Sequence, residues 1–176
     1  MIKRTSYVSK DSDNMTFSQK SNIAIHTSKP SILEPGRVLF LDSTSKEAAL
    51  KSLIACLADS EAINDAKELE EGIFHREELM STGIGFGIAV PHVRLVSVQS
   101  PVMSVGICRN TLRDYESMDD KPVNLIFMIA AGIHQHADYL GLLSNISSMV
   151  KDDSTRNSIL QAADSEQVYG IINRYI

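Results

Sequence analysis

His92 and Arg76 are the two side chains of this sequence best suited to chemistry, and the residues between them decide how each is presented. The stretch Ser81-Thr82-Gly83-Ile84-Gly85-Phe86-Gly87-Ile88-Ala89-Val90-Pro91-His92 combines a glycine-rich segment, a short apolar run, a proline and a histidine. Glycines at 83, 85 and 87 permit positive φ and close backbone approach. Ile88, Ala89 and Val90 suit a short buried strand. Pro91 fixes its own φ and holds Val90 extended. His92 thus falls just past a stiffened strand end, where a rigid scaffold can present an imidazole. Neutral imidazole is a nucleophile near physiological pH. The plainer alternative is a turn, a core strand and an exposed histidine. A dinucleotide-binding loop is excluded, because that motif follows a strand and opens a helix. Here the glycines precede the strand, and no P-loop lysine follows. Arg76 either approaches His92 or forms a surface ion pair with Glu77 or Glu78.

The elements that must position these residues read as follows. Residues 1–30 are polar, with five basic and two acidic side chains. That gives +3, and −8 on the remainder of a chain of net charge −5. This stretch reads as a mobile tail, with Ile23–Ile25 as a possible edge strand and His26 solvated. Pro35-Gly36 is a turn signal before a short strand at 38–41. Thr44-Ser-Lys-Glu47 resembles a capping box opening a helix on Leu50, Leu53, Ile54 and Leu57. A second helix runs from near Asn64 towards Met80, with Leu69 and Ile73 on its apolar side. Pro101 introduces a strand over 102–107. Residues 110–120 read as a polar, solvated loop. Residues 123–130 form the most apolar, central strand, ended by Gly132. His134 and His136 fall in the following loop. Tyr139, Leu142, Leu143, Ile146, Met149 and Val150 recur at helical spacing. A short helix over 154–161 and a last helix capped by Ser165 close the chain. Strands alternating with helices indicate a single-domain α/β sandwich, a mixed sheet flanked by helices, over residues 31–176.

Composition narrows the function classes. The 176 residues are 43% hydrophobic and 22% charged, as in a globular domain able to bury a sizeable core. The acidic balance argues against nucleic-acid binding. No apolar run approaches the ~20 residues that span a membrane, and no signal-peptide core is present. Cys56 and Cys108 have no metal-ligand spacing and read as reduced, buried thiols. A cytoplasmic protein is expected.

Arg76-Glu77-Glu78-Leu79 followed by residues 81–92 resembles the active-site segment of enzyme IIA domains of the fructose–mannitol type, including their nitrogen-regulatory branch. These domains belong to the bacterial sugar phosphotransferase system. The resemblance continues through Asp120-Lys121-Pro122-Val123, the apolar strand, the amphipathic helix and the ending from Ser154 to Ile176. It covers residues 32–176. It implies a phosphoryl relay in which His92 accepts phosphate from the carrier HPr or an equivalent. His92 would pass it to a IIB cysteine for sugar uptake, or its phosphorylation state would control binding to regulatory targets. The resemblance implies that neither route needs a bound metal or organic cofactor. A degenerate module that no longer accepts phosphate is the remaining alternative. On this resemblance Arg76 stabilises the phosphoryl charge, and Ser81, Thr82, Gly83, Gly85 and Gly87 form a phosphate loop. Two departures stand out. Val93 replaces the small residue that usually follows the active histidine, and Tyr139 falls where the family has a second histidine. A tyrosine hydroxyl can hydrogen-bond imidazole or phosphate but supplies no cation. His136, one turn earlier, is the other candidate for that place, unless it is simply solvated.

Overall fold

Strict alternation along one strand dictates three layers. The computed structural model describes residues 31–176. In β6 (Val123–Gly132), Ile126, Met128 and Ala130 face one apolar cluster, while Leu125, Phe127, Ile129 and Ala131 face another. All seven are fully buried. A strand apolar on both sides must be covered on both sides. The first cluster is closed by α1 (Lys46–Ala58) and α2 (Ala66–Leu79). The second is closed by α3 (His136–Met149), α4 (Asp153–Leu160) and α5 (Ser165–Ile172). Each fully buried Leu, Ile or Phe contributes roughly 1.5–3 kcal/mol, so these two faces dominate the stability of the fold.

The sheet has six strands. Its path runs from β1 (Val38–Leu41) through β5 (Val102–Leu112), β6 and β3 (Ile88–Ala89) to β2 (Gly83–Gly85). β1 lies parallel to β5, and β5 lies antiparallel to β6. β3 and β4 (His92–Leu95) lie end to end along the same edge of β6, both parallel to it. Pro91 bridges them, and its carbonyl accepts the Ile129 N–H at 2.9 Å. The edge is therefore continuous although the proline has no N–H of its own. The result is the expected α/β sandwich, a mixed sheet flanked by helices.

Several boundaries differ from the sequence reading. The cap of α1 is Ser45, whose hydroxyl accepts the Ala48 N–H at 3.3 Å, not Thr44. Glu47 does not reach back to close a box; it pairs with Lys51 on the next turn. Asp164, not Ser165, caps α5 through the Gln167 N–H. β5 continues through exposed Arg109, Asn110 and Thr111 to buried Leu112, beyond the expected end at 107. The segment over 113–120 is partly structural: Asp114 accepts the Lys46 N–H at 2.8 Å, and Tyr115 is buried. His136 opens α3 instead of lying in a loop. Both thiols are free; Cys108 is buried but Cys56 only half-buried. Ile23–Ile25 and His26 lie outside the described residues. Among the described residues, no helix is long and apolar enough to cross a membrane.

Candidate functional site

His92 opens a strand instead of trailing one, and that strand fixes its direction. Val93 and Leu95 pack into the cluster beneath α2. A Cβ on Gly72 of α2 would meet Val93 Cγ2 and Leu95 Cδ2 at 3.0 Å, so helix and strand are in close contact there. Side chains alternate along a strand, so His92 and Arg94 face the α3 side. The His92 ring lies 5.9 Å from the Tyr139 ring, centroid to centroid, at 57°.

The imidazole is held by its own backbone. His92 Nδ1 lies 2.6 Å from the Val90 carbonyl oxygen. A carbonyl only accepts, so Nδ1 carries the proton and Nε2 keeps its lone pair. Burial, helped by the Arg76 charge, holds the imidazole below the ordinary histidine range, against the Val90 hydrogen bond and the Glu77 charge. Neutral imidazole with a free Nε2 is a nucleophile ready to act without first losing a proton.

Behind the histidine lies a buried carboxylate that the sequence reading passed over. Glu77 turns inward from α2 and is 6% exposed. It accepts the Thr82 N–H at 3.1 Å, the Thr82 hydroxyl at 2.6 Å, the Ser81 hydroxyl at 3.0 Å and the Tyr115 hydroxyl at 3.2 Å. Lys46 Nζ pairs with it at 2.9 Å. Burial pushes this carboxyl up, but the Thr82 and Lys46 hydrogen bonds outweigh it, and Glu77 sits below its usual value. Burial, then the Glu77 charge, push the Tyr115 phenol far up, so it stays a donor. The Thr82 carbonyl in turn accepts the Val90 N–H at 3.0 Å. A continuous chain thus runs from Lys46 through Glu77, Thr82 and Val90 to His92.

Arg76, the neighbour of Glu77, points the other way. Its Nη1 donates to the Met80 carbonyl at 2.7 Å, so it makes neither of the expected pairs with Glu77 or Glu78. Arg76, Ser81, Thr82, Gly83 and His92 together line an open groove of about 580 Å³. Its apolar lining includes Met80, Ile84, Val90, Met118 and Leu143.

The glycine segment folds as a hairpin, and of the expected phosphate-loop residues Ser81, Thr82 and Gly83 line the groove. Gly85, Phe86 and Gly87 take φ of 88°, 58° and 76° and turn β2 into β3. Gly85 and Gly87 are not among the residues lining the groove. Three N–H groups of the segment are engaged within the protein: Thr82 with Glu77, Phe86 with Asp119 at 2.9 Å, and Val90 with Thr82. His136 is engaged by Arg94. Its Nδ1 accepts from Arg94 Nη1 at 2.9 Å, and the Arg94 guanidinium lies 5.4 Å from the Tyr139 ring centroid. The sequence reading missed Arg94, because Pro91 signals a strand end and hides the strand that puts Arg94 on the same face as His92. Among the described residues, no cluster of three metal-binding side chains occurs.

An imidazole kept neutral beside a guanidinium charge, on an open groove of a three-layer α/β domain, is an arrangement chemically able to take part in group transfer. Comparison with known proteins makes the class specific. Residues 31–175 match the family model for the phosphoenolpyruvate-dependent sugar phosphotransferase system, EIIA 2. The chain belongs to this family, whose domains are phosphotransfer components. It is 34% identical over 137 residues to a fructose-specific EIIABC component of Bacillus subtilis, covering 78% of this chain but only 21% of that protein. It is 33% identical over 142 residues to a nitrogen regulatory protein of Pseudomonas aeruginosa, covering 80% of this chain and 92% of that one. The crystal structure of nitrogen regulatory protein IIA-Ntr from Neisseria meningitidis superposes with a TM-score of 0.75 at 27% identity, over 80% of this chain and 96% of that one.

Proposed function

We propose that His92 is the phosphoacceptor of a phosphoryl relay, with residues 31–176 as the relay domain. Nε2 attacks the phosphorus of a phosphohistidine on an HPr-type carrier. The new N–P bond forms as the donor's N–P bond breaks, and the donor imidazole keeps the electron pair. In the forward step a cysteine thiolate of a IIB domain attacks the same phosphorus, and His92 leaves as neutral imidazole. Arg76 supplies a fixed positive charge to the phosphoryl oxygens at the groove. The observation that carries this reading is the 2.6 Å contact from His92 Nδ1 to the Val90 carbonyl, which leaves Nε2 as the nucleophile. Ser81 and Thr82 serve by position, through Glu77, and Tyr139 flanks the imidazole. The setting in this reading is the cytoplasm, consistent with two free thiols.

A second reading shares the site and differs in its output. The likeness to a nitrogen regulatory protein at 33% identity and to a IIA-Ntr structure at a TM-score of 0.75 supports this second reading. In it, the phosphorylation state of His92 controls binding to regulatory targets. The test is transfer from a phosphorylated HPr-type carrier to wild type and His92→Ala. An acid-labile, base-stable adduct on wild type alone supports the relay. Onward transfer to a IIB domain then selects the uptake role, and its absence selects regulation. No adduct with any carrier, in folded protein, removes the phosphocarrier reading.

A further inference from the structure

A phosphoryl group on a histidine carries about two negative charges, and the one cation so far assigned to it, Arg76, leaves part of that charge unmatched. His92 and Arg94 leave the same face of β4, two residues apart. Both settle on one aromatic ring: the His92 imidazole lies 5.9 Å from the Tyr139 centroid and the Arg94 guanidinium 5.4 Å from it. Burial pushes the Tyr139 hydroxyl up, while the Arg94 and Arg76 charges each pull it down. Arg76, on α2, lines the groove together with His92, while Arg94 is on β4. Arg94 is solvent-exposed and, among the described residues, has no carboxylate partner; its Nη1 donates to His136 Nδ1 at 2.9 Å. A guanidinium held by a ring face and an imidazole is oriented yet not neutralised.

We propose that Arg94 is the second cation of the phosphoryl site, carried to His92 on the Tyr139 ring and steadied by His136. This rests on His92 being the phosphoacceptor. Arg94 and Arg76 would then flank the transferred group, with the Tyr139 hydroxyl as a neutral donor between them. The absence of a second histidine beside His92 is thereby made good from the neighbouring strand position, not from α3. His136 has a different task from the one its sequence position suggested: it positions Arg94.

The test compares transfer rates from a phosphorylated HPr-type carrier, and the hydrolysis rate of the phosphorylated protein, in wild type, Arg94→Lys, Arg94→Met and His92→Ala. Loss of one charge-assisted contact corresponds to about a 10–100-fold slower transfer for Arg94→Met. Arg94→Lys keeps the charge and should recover most of the rate. Arg94→Met keeps apolar packing on Tyr139, so a purely structural role would leave it near wild type. Equal rates in wild type and Arg94→Met, or equal losses in the Lys and Met variants, overturn the assignment while leaving His92 labelled. An unlabelled wild type overturns the relay and this assignment together. His136→Gln should slow transfer less than Arg94→Met does; a loss as large as that of His92→Ala would make His136 a direct participant and overturn its positioning role.

Discussion

The Nδ1–H of His92 is donated to the carbonyl of Val90, two residues earlier, across the one proline of the segment. This contact selects the tautomer and the reacting nitrogen at once. Phosphorylation should therefore fall on Nε2. In a ¹⁵N–¹H correlation spectrum, His92 should show a protonated Nδ1 and a bare Nε2 before transfer, and a phosphorus-coupled Nε2 after it. An Nδ1 adduct would mean that the Val90 contact breaks in the reactive state.

The same site sets a pH dependence with a definite sign. Burial and the Arg76 charge hold His92 below the ordinary histidine range of about 6.5. The neutral nucleophile thus persists as pH falls through 6.5. The rate of transfer to His92, under conditions where the carrier stays phosphorylated, should be flat from pH 8 to about 6.5 and fall only below it. Arg76→Ala should move the fall towards higher pH, because it removes a charge that opposes protonation, and should also slow transfer at the plateau. A midpoint above 6.5 in the wild type would contradict the burial argument.

Glu77 should couple stability to reactivity. It holds Thr82 by backbone and side chain, and Lys46 is its ionic partner. Removing one member of a buried pair costs about 3–5 kcal/mol, because the other charge is left without a partner. Glu77→Ala should lower unfolding stability by about 3 kcal/mol in urea titration, and Glu77→Gln by less. The carboxyl sits below its unfolded value, so its contribution is present above about pH 4.3 and is lost as pH falls through the folded value. That acid-side loss should be missing in Glu77→Ala. Transfer to His92 should also slow in this variant, since Thr82 and Val90 lie between the two residues.

How far the sequence reveals all this depends on which physical signal each element carries. The two-sided apolar run of β6 and the helical spacing of Leu50, Leu53 and Leu57 are dictated by burial, and the sequence shows them directly. β4 is not visible in the same way. Pro91 signals an end, and His92 and Arg94 are polar and not buried, so the strand shows no run of core residues. Tyr115 lies among acidic residues that read as a solvated loop, yet it is buried on Glu77. Glu77 itself sits in a charged helix end beside Glu78, and nothing local tells which of the two turns inward. Only the tertiary placement of Thr82 and Lys46 decides it. The caps at Ser45 and Asp164 differ by one residue from the expected ones, because adjacent Thr-Ser and Asp-Ser pairs offer equivalent oxygens.

Gly83 should be the least replaceable glycine. A Cβ there would lie 2.2 Å from the Glu116 carbonyl oxygen and 2.8 Å from Ser117 Cα. Both are backbone atoms and cannot rotate away. Gly83 also bridges to Ser117, and its carbonyl accepts the Met118 N–H at 3.1 Å. Gly83→Ala must push the 116–118 segment off the hairpin, at about 1–3 kcal/mol or more. A thermal melt should show the loss. Gly141→Ala, with open space around the new Cβ, should show none and provides the control.

Met118 and Met80 stand at the groove beside His92, 85% and 70% exposed. Large apolar side chains left in water next to a reactive group mark a surface that another molecule covers during transfer. Flexible thioethers suit partners of different shape, such as a carrier on one side of the relay and an acceptor on the other. Met118→Asp places a charge on this rim without entering the core, so the melting temperature should hardly change. The KM for the phosphorylated carrier should rise about tenfold, the equivalent of losing one anchoring apolar contact, with kcat nearly constant. Met118→Leu should restore the wild-type KM. A drop in kcat at unchanged KM would instead place Met118 in the chemistry of the groove and not in docking.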